Sequence, residues 1–316
     1  MRGFDDETKG IAPSSTSKVK ECAVHFTQKN RFSTKNNPMC GITFWKWLLL
    51  LRKSYRNIEW QYVPRAIFIT ILSIINSLLC MIEHFLYWNK IRKVKLPDNP
   101  VFIIGHPRTG TTVLHNILSA DEENFFFCST FCAGFPSSFL FFEKYGKYLF
   151  SGVIEKTRPM DSMPLHFDLP QEDECGTNVL SGGLSYYMPL WFMKQENEYR
   201  KYLDFDPRDG GRKEDESEWC ESFIYLMKKL CLRQQIKETK NQSQSQKQKQ
   251  DQNQSGKQSP NNAIKSACRL LLKSPIHTAR VPLLLKLFPK AKFIYIHRHP
   301  DEIFVSAVHL ADTAYW

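Results

Sequence analysis

The stretch "VFIIGHPRTGTT", residues 101–112, decides how the rest of the chain is read. Its first five residues form a short apolar run that fits a buried parallel strand. The frame of a phosphate-binding loop follows: Gly105, four residues, Gly110, then hydroxyl residues at Thr111 and Thr112. "TTVLHNILSA" (111–120) has helical spacing, with Val113, Leu114, Ile117 and Leu118 able to share one face. A Gly-rich turn between strand and helix aims backbone N–H groups and the positive helix end at an anion. Nucleotide-hydrolysing loops carry a lysine after the second Gly and need an acid for Mg²⁺ at another strand end. Here Thr111 stands in the lysine's place, and the basic residue, Arg108, lies inside the loop. Thr109, Thr111 and Thr112 offer hydroxyl donors. Arg108 offers a planar, permanently charged fork for phosphate or sulfate oxygens.

Further along, "RLLLKSP" (269–275) and "AKFIYIHRHP" (291–300) read as two more strands. "HTARVPLLLKLF" (277–288) and "DEIFVSAVHLA" (301–311) read as the helices after them, with Asp301 suited to a helix start. This alternation predicts an α/β fold, a P-loop-like three-layer α/β/α arrangement around a central parallel sheet. Both later strands end in basic residues, Lys273 and Arg298. A site edged by Arg108, Lys273 and Arg298 can hold a doubly anionic nucleotide without a metal, which disfavours ATP chemistry. Ser306, eight positions after Arg298 on the next helix, can join it on a separate phosphate.

These stretches resemble the sulfotransferase family, which uses 3'-phosphoadenosine-5'-phosphosulfate (PAPS). "HPRTGTT" is similar to that family's 5'-phosphosulfate loop and "RHPDEIFVS" to its 3'-phosphate element. "RPMDSMPLHFDLPQEDE" (158–174) and the span 270–302 resemble the branch found in bacteria and many eukaryotes. The resemblance implies that Arg108, Thr109, Gly110, Thr111 and Thr112 bind the 5'-phosphosulfate, and that Arg298 and Ser306 bind the 3'-phosphate. It implies a general base at His277, a few residues after Lys273. The family's more familiar form is K-T-H, with fewer residues between the two. Glu172, first of the acids Glu172, Asp173 and Glu174, is the competing base. Lys273 and Arg108 would stabilise charge on the leaving group. No metal is implied.

The chain has 316 residues, 42% hydrophobic and 13% aromatic, enough for a packed core, and a formal net charge of +11 that suits an anionic partner. No nucleic-acid motif accompanies that charge. The nine cysteines are scattered and read as reduced thiols, without zinc-ligand spacing. Residues 1–39 read as a disordered tail and 40–95 as an apolar helical region. Within the latter, the uncharged run 66–82 is either a docked helix or the lower limit of a membrane span. The same apolar stretch, 66–88, makes membrane association one expectation for localisation and a cytoplasmic protein the other. Residues 96–316 form the sulfotransferase-like domain. The Gln-rich tract 234–262 reads as a disordered insertion, and the stop at Trp316 as an early C-terminus for the family. The acceptor stays open between carbohydrate, lipid, small molecule and peptide. The alternatives are an inactive, membrane-associated nucleotide-binding relative and a P-loop kinase or NTPase.

Overall fold

The computed structural model describes residue 37 and residues 39–152, 154–158, 161–252 and 268–314. Two apolar helices come first, α1 (Phe44–Ser54) and α2 (Val63–Lys93). Then come β1 (Val101–Gly105), α3 (Thr111–Ser119), β2 (Phe125–Phe127), α4 (Thr130–Gly134), α5 (Phe139–Leu149) and α6 (Asp173–Ser181). The chain continues through α7 (Glu196–Tyr199), α8 (Lys213–Gln252), β3 (Arg269–Lys273), α9 (Val281–Leu287), β4 (Lys292–Ile296) and α10 (Pro300–Ala314).

The strands pair in parallel in the order β2-β3-β1-β4. β1 is an inner strand and every one of its residues is buried. Its side chains alternate between the two faces of the sheet, as the pleat requires. Phe102 and Ile104 join a core with Leu270, Leu272, Phe131, Val179, Trp219 and Phe223. Val101, Ile103 and Leu271 face the other way, against Leu114 and Leu118 of α3. The register sets Ile103 beside Lys273 and Gly105 beside Ile296, so three strand ends reach one edge of the sheet. That carboxyl edge is where open α/β sheets bind ligands.

Four sequence expectations come out differently. In α3, Leu114 and Leu118 pack on the sheet, but Val113 and Ile117 are exposed, and the inward positions are Thr111, His115 and Ser119. The tight loop before the helix fixes its rotation, so the turn overrides the apolar stripe. Residues 234–252, expected to be unstructured, continue α8 as helix; residues 253–262 lie outside the described residues. Gln, Lys and Glu are good helix formers, and the first helix breaker is Gly256. The expected tail reaches too far, because Met39 is buried in the core; residues 1–36 and 38 lie outside the described residues. The helix expected over 277–288 begins later, at Val281, after a 3₁₀ turn over Pro275–Thr278.

The α8 stripe Trp219, Phe223, Leu226 and Leu230 is fully buried at helical spacing. Lys229 is buried beside it. It pairs with Glu83 of α2, donates to the Pro136 carbonyl and lies 4.5 Å from the Phe139 ring centroid. Arg233 donates twice to Glu143, at 2.7 and 2.6 Å, tying α8 to α5.

Candidate active site

The loop between β1 and α3 is shaped by backbone constraints. Gly105 has φ +150°, and a Cβ there would lie 2.4 Å from the Ile296 carbonyl oxygen. Gly110 has φ +98° and opens to empty space on its Cβ side. Arg108 is itself left-handed, with φ 72°, a strained state that clusters at functional sites. Thr109 closes the turn, donating from its N–H and its hydroxyl to the His106 carbonyl at 3.3 and 2.8 Å. His106, Pro107 and Gly110 are exposed, so the N-terminus of α3 opens to solvent.

The expected hydroxyl donors divide. Thr109 serves the loop's own backbone, and Thr111 is buried. Thr112 accepts a hydrogen bond from Lys273 Nζ at 3.3 Å. Arg108 Nε donates to Ser306 Oγ at 2.9 Å, and its Nη1 lies 3.4 Å from Asp161. Ser306 is thus brought to the loop arginine. Arg298 is half-exposed and donates to Glu302 at 2.5 Å, one helical turn along its own segment.

The acid triplet is the centre of the arrangement. α6 begins at Asp173, so three consecutive carboxylates diverge from its first turn, each toward a different basic group on the β3–α9 segment. Glu172 pairs with Lys273 Nζ at 2.6 Å and accepts the Tyr187 hydroxyl. Asp173 accepts the Lys273 backbone N–H at 3.0 Å and meets His277 Nε2 at 2.6 Å. Glu174 pairs with Arg280 at 2.8 Å and accepts Trp219 Nε1 at 3.2 Å. Arg280 also donates to the carbonyls of Leu203 and Tyr202.

Of the two candidate bases, only Glu172 sits beside the loop. His277 is fully buried, with Phe102, Trp219 and Phe223 rings edge-on to it at centroid distances of 5.6, 6.4 and 5.7 Å. The 3₁₀ turn points it inward. Its neighbour Thr278 hooks that turn to Gly105 by accepting the Gly105 N–H at 2.9 Å. Glu172 keeps 16% of its side chain accessible, against 2% for Lys273. Burial pushes the Glu172 carboxyl up. The Lys273 charge and hydrogen bonds from Lys273 and Tyr187 pull it down further, so it stays below the usual carboxylate value. Burial and the Glu172 charge push the Tyr187 hydroxyl well above its ordinary value, which keeps it a donor. His115, one turn into α3, is driven to about 3 by burial and then by the Lys273 charge.

The sequence reading missed Tyr187, Asp161, His115 and the roles of Asp173 and Glu174. The acids were visible as a cluster, but their partners His277 and Arg280 are more than a hundred positions away. Nothing local marks Tyr187 or Asp161. A cavity of about 420 Å³ lies elsewhere, between α1 and residues 181–184 and 199–218, and shares no residue with the loop. Beside the loop, a small cavity of about 20 Å³ separates Thr112 from Arg158 and Gln171.

A four-stranded parallel sheet flanked by helices, with a Gly-bounded loop on an inner strand and basic residues at the strand ends, defines an α/β protein with its candidate site at the carboxyl edge of the sheet. The profile of the Sulfotransferase family matches residues 100–316, and the chain belongs to that family. Among curated proteins it is similar to the omega-hydroxy-beta-dihydromenaquinone-9 sulfotransferases Stf3 of Mycobacterium bovis and Mycobacterium tuberculosis. Each is 28% identical over 283 residues, which is 87% of this chain and 61% of the relative. The chain therefore spans less than two thirds of the length of these relatives. Among solved structures it resembles sulfotransferase STF1 of Mycobacterium tuberculosis H37Rv. The TM-score is 0.50 at 15% identity, covering 86% of this chain and 66% of that one, a likeness of fold.

Proposed function

We propose that the chain transfers a sulfuryl group from PAPS to a hydroxyl acceptor carried on a lipid. The observation that carries this reading is the Thr112–Lys273–Glu172 junction, where an anion loop, a buried cation and a partly accessible carboxylate meet. The acceptor class follows the Stf3 relatives, whose names describe sulfotransfer to a hydroxylated dihydromenaquinone.

The residues fit the donor. Gly110 has open space on its Cβ side and the N-terminus of α3 is accessible, so the loop can receive a phosphosulfate. In this reading Arg108 and the hydroxyl of Thr112 hold that group, with Thr109, Gly110 and Thr111 shaping the turn. Arg298 gives up Glu302 for the 3'-phosphate; that pair is half-exposed and weak. Ser306, midway along α10 and already on Arg108, would face the same ligand. PAPS supplies an electrophilic sulfur on a phosphate leaving group. Glu172, ionised at neutral pH, takes the proton from the attacking hydroxyl oxygen as that oxygen bonds to sulfur. Lys273 and Arg108 neutralise the negative charge on the departing bisphosphate. His277 serves the site by holding Asp173, which fixes the strand end that carries Lys273.

The test is thermal denaturation with adenosine 3',5'-bisphosphate and, separately, with ATP–Mg²⁺. A ligand at about 100 times its dissociation constant adds about 2.7 kcal/mol. Stabilisation by the bisphosphate, reduced in Arg298→Ala, is the expected result. Stabilisation by ATP–Mg²⁺ alone would overturn the assignment in favour of a kinase.

A further inference from the structure

The helix α2 is inside out. Between Arg65 and Glu83 its exposed residues are Ile67, Ile71, Ile74, Ile75, Leu78, Met81 and Ile82, every one apolar. Its buried residues over the same stretch are Ile69, Leu72, Ser73 and Asn76, and the next is Glu83, so half of the buried positions before Glu83 are polar. At 100° per residue the exposed positions, extended by Phe85 and Leu86, fill a stripe about 140° wide, opposite the buried ones. Water-facing helices have the reverse pattern. The apolar share is high as well: the most apolar 18 residues within the helical stretch Trp60–Lys93 have a mean hydropathy of 2.1, and 28% of them are buried.

The buried face is committed to this protein. Asn76 Nδ2 donates to the carbonyls of Cys40 and Ile42. Ser77 accepts the Phe44 N–H at 2.8 Å, and Thr70 accepts Trp47 Nε1 at 2.8 Å. Glu83 pairs with Lys229 and accepts the Phe141 N–H at 3.2 Å. These contacts run along the middle of the apolar stretch, from Thr70 to Glu83. A helix crossing a bilayer would drag α8 and α5, with their charged surfaces, into hydrocarbon. One face can meet lipid and the other cannot.

The ends of the stripe identify the occupant. Trp60 and Tyr62 stand before it and Tyr87 and Trp88 after it. Arg65 lies over the Tyr62 ring, Lys90 over Tyr87 and Arg92 over Trp88, at 5.8, 5.5 and 5.9 Å. Exposed Arg52 and Arg56 add charge near one end, Lys93 and Lys95 near the other. The apolar stripe from Ile67 to Phe85 is about 27 Å long at 1.5 Å per residue. Amphipathic aromatics with cations at both ends of an apolar stripe match a headgroup layer, with anionic phosphates on the cations and acyl chains on the isoleucines. A protein partner would not need cations at both ends. α1, packed on α2, exposes Trp45, Leu48 and Leu49 as well.

We infer that α2 lies flat in one leaflet of a lipid bilayer that carries anionic headgroups, with the catalytic domain held against that surface. This stands on the helix alone and does not depend on the sulfuryl-transfer reading. The experiment adds the purified chain to preformed vesicles, of phosphatidylcholine alone or with one third anionic phospholipid, and measures flotation. The wild type should float without detergent, and more of it with the anionic vesicles. Ile71→Glu combined with Leu78→Glu should cut the floating fraction at least tenfold, with unchanged circular dichroism and unchanged bisphosphate binding. Ile71→Leu with Leu78→Ile should float like the wild type and control for packing. Equal flotation of the Glu variant would overturn the inference, and so would a wild type that stays in solution. A lipid-free dimer that the Glu variant dissociates, with no flotation, would assign the face to a second copy instead.

Discussion

His115 offers a quantitative test of how the loop is supported. It sits one turn into α3, 1% exposed, with the Phe127 ring edge-on at 6.2 Å, and neither ring nitrogen has a hydrogen-bond partner among the described residues. Burial and the Lys273 charge both oppose protonation and bring its pKa from 6.5 to about 3. The folded value lies below the unfolded one, so the stability linked to this group is fully present above pH 6.5. It is lost as the pH falls toward 3, because only the unfolded chain binds the proton. On going from pH 7.5 to 5 only the roughly 1.5 units below the unfolded value of 6.5 count, and at about 1.36 kcal/mol per unit the loss is about 2 kcal/mol. For a domain of this size that corresponds to a fall in Tm of roughly 4–8 °C. His115→Leu removes the titrating group and two unsatisfied nitrogens, so it should raise stability at pH 7.5 by about 1 kcal/mol and flatten the profile. The assay is calorimetric melting of both proteins at half-unit steps from pH 7.5 to 5. Parallel profiles would refute the reasoning, since the acid loss would then come from other groups.

Other outcomes follow from the same contacts. Glu172→Gln should lower turnover about 10²–10⁴-fold while leaving a folded protein, measured by transfer of labelled sulfate to a hydroxylated lipid. His277→Ala should instead cost about 3 kcal/mol or more in denaturant melts, because it leaves Asp173 Oδ2 buried without its His277 partner and opens a cavity among Phe102, Trp219 and Phe223. Arg108→Ala should weaken adenosine 3',5'-bisphosphate roughly 10–100-fold by calorimetric titration, the loss of charged hydrogen bonds worth about 1.5–3 kcal/mol. Burial raises the Glu143 carboxyl, but hydrogen bonds from Arg233 and Lys147 and their charges bring it below its ordinary value. That pairing stabilises the fold above the ordinary carboxylate range and is lost as the pH falls below it. Glu143→Gln should therefore reduce the acid dependence of melting below about pH 4.5, where a profile unchanged from wild type would count against the pairing.

The sequence by itself determined what is local. The strand, loop and helix over 101–119 are legible because Gly spacing, a β-branched apolar run and helical periodicity all act within a few residues. The same holds for β3 and β4, and for the basic residues that close them. Tertiary structure decided everything that depends on which distant group stands opposite. Lys273 and His277 lie four positions apart, yet one reaches the loop and the other the core, because Asp173 claims the histidine and Glu172 the lysine. Composition could count the apolar residues of 66–82 but could not say which way they point. Asn76 and Glu83 turn inward because Cys40 and Ile42 ahead of α1, and α5 and α8, supply their partners, and Ile67, Ile71, Ile74, Ile75 and Ile82 are left outside. A polar group buried without a partner costs more than an apolar one exposed, so the hydrogen bonds and not the hydropathy set the rotation of that helix.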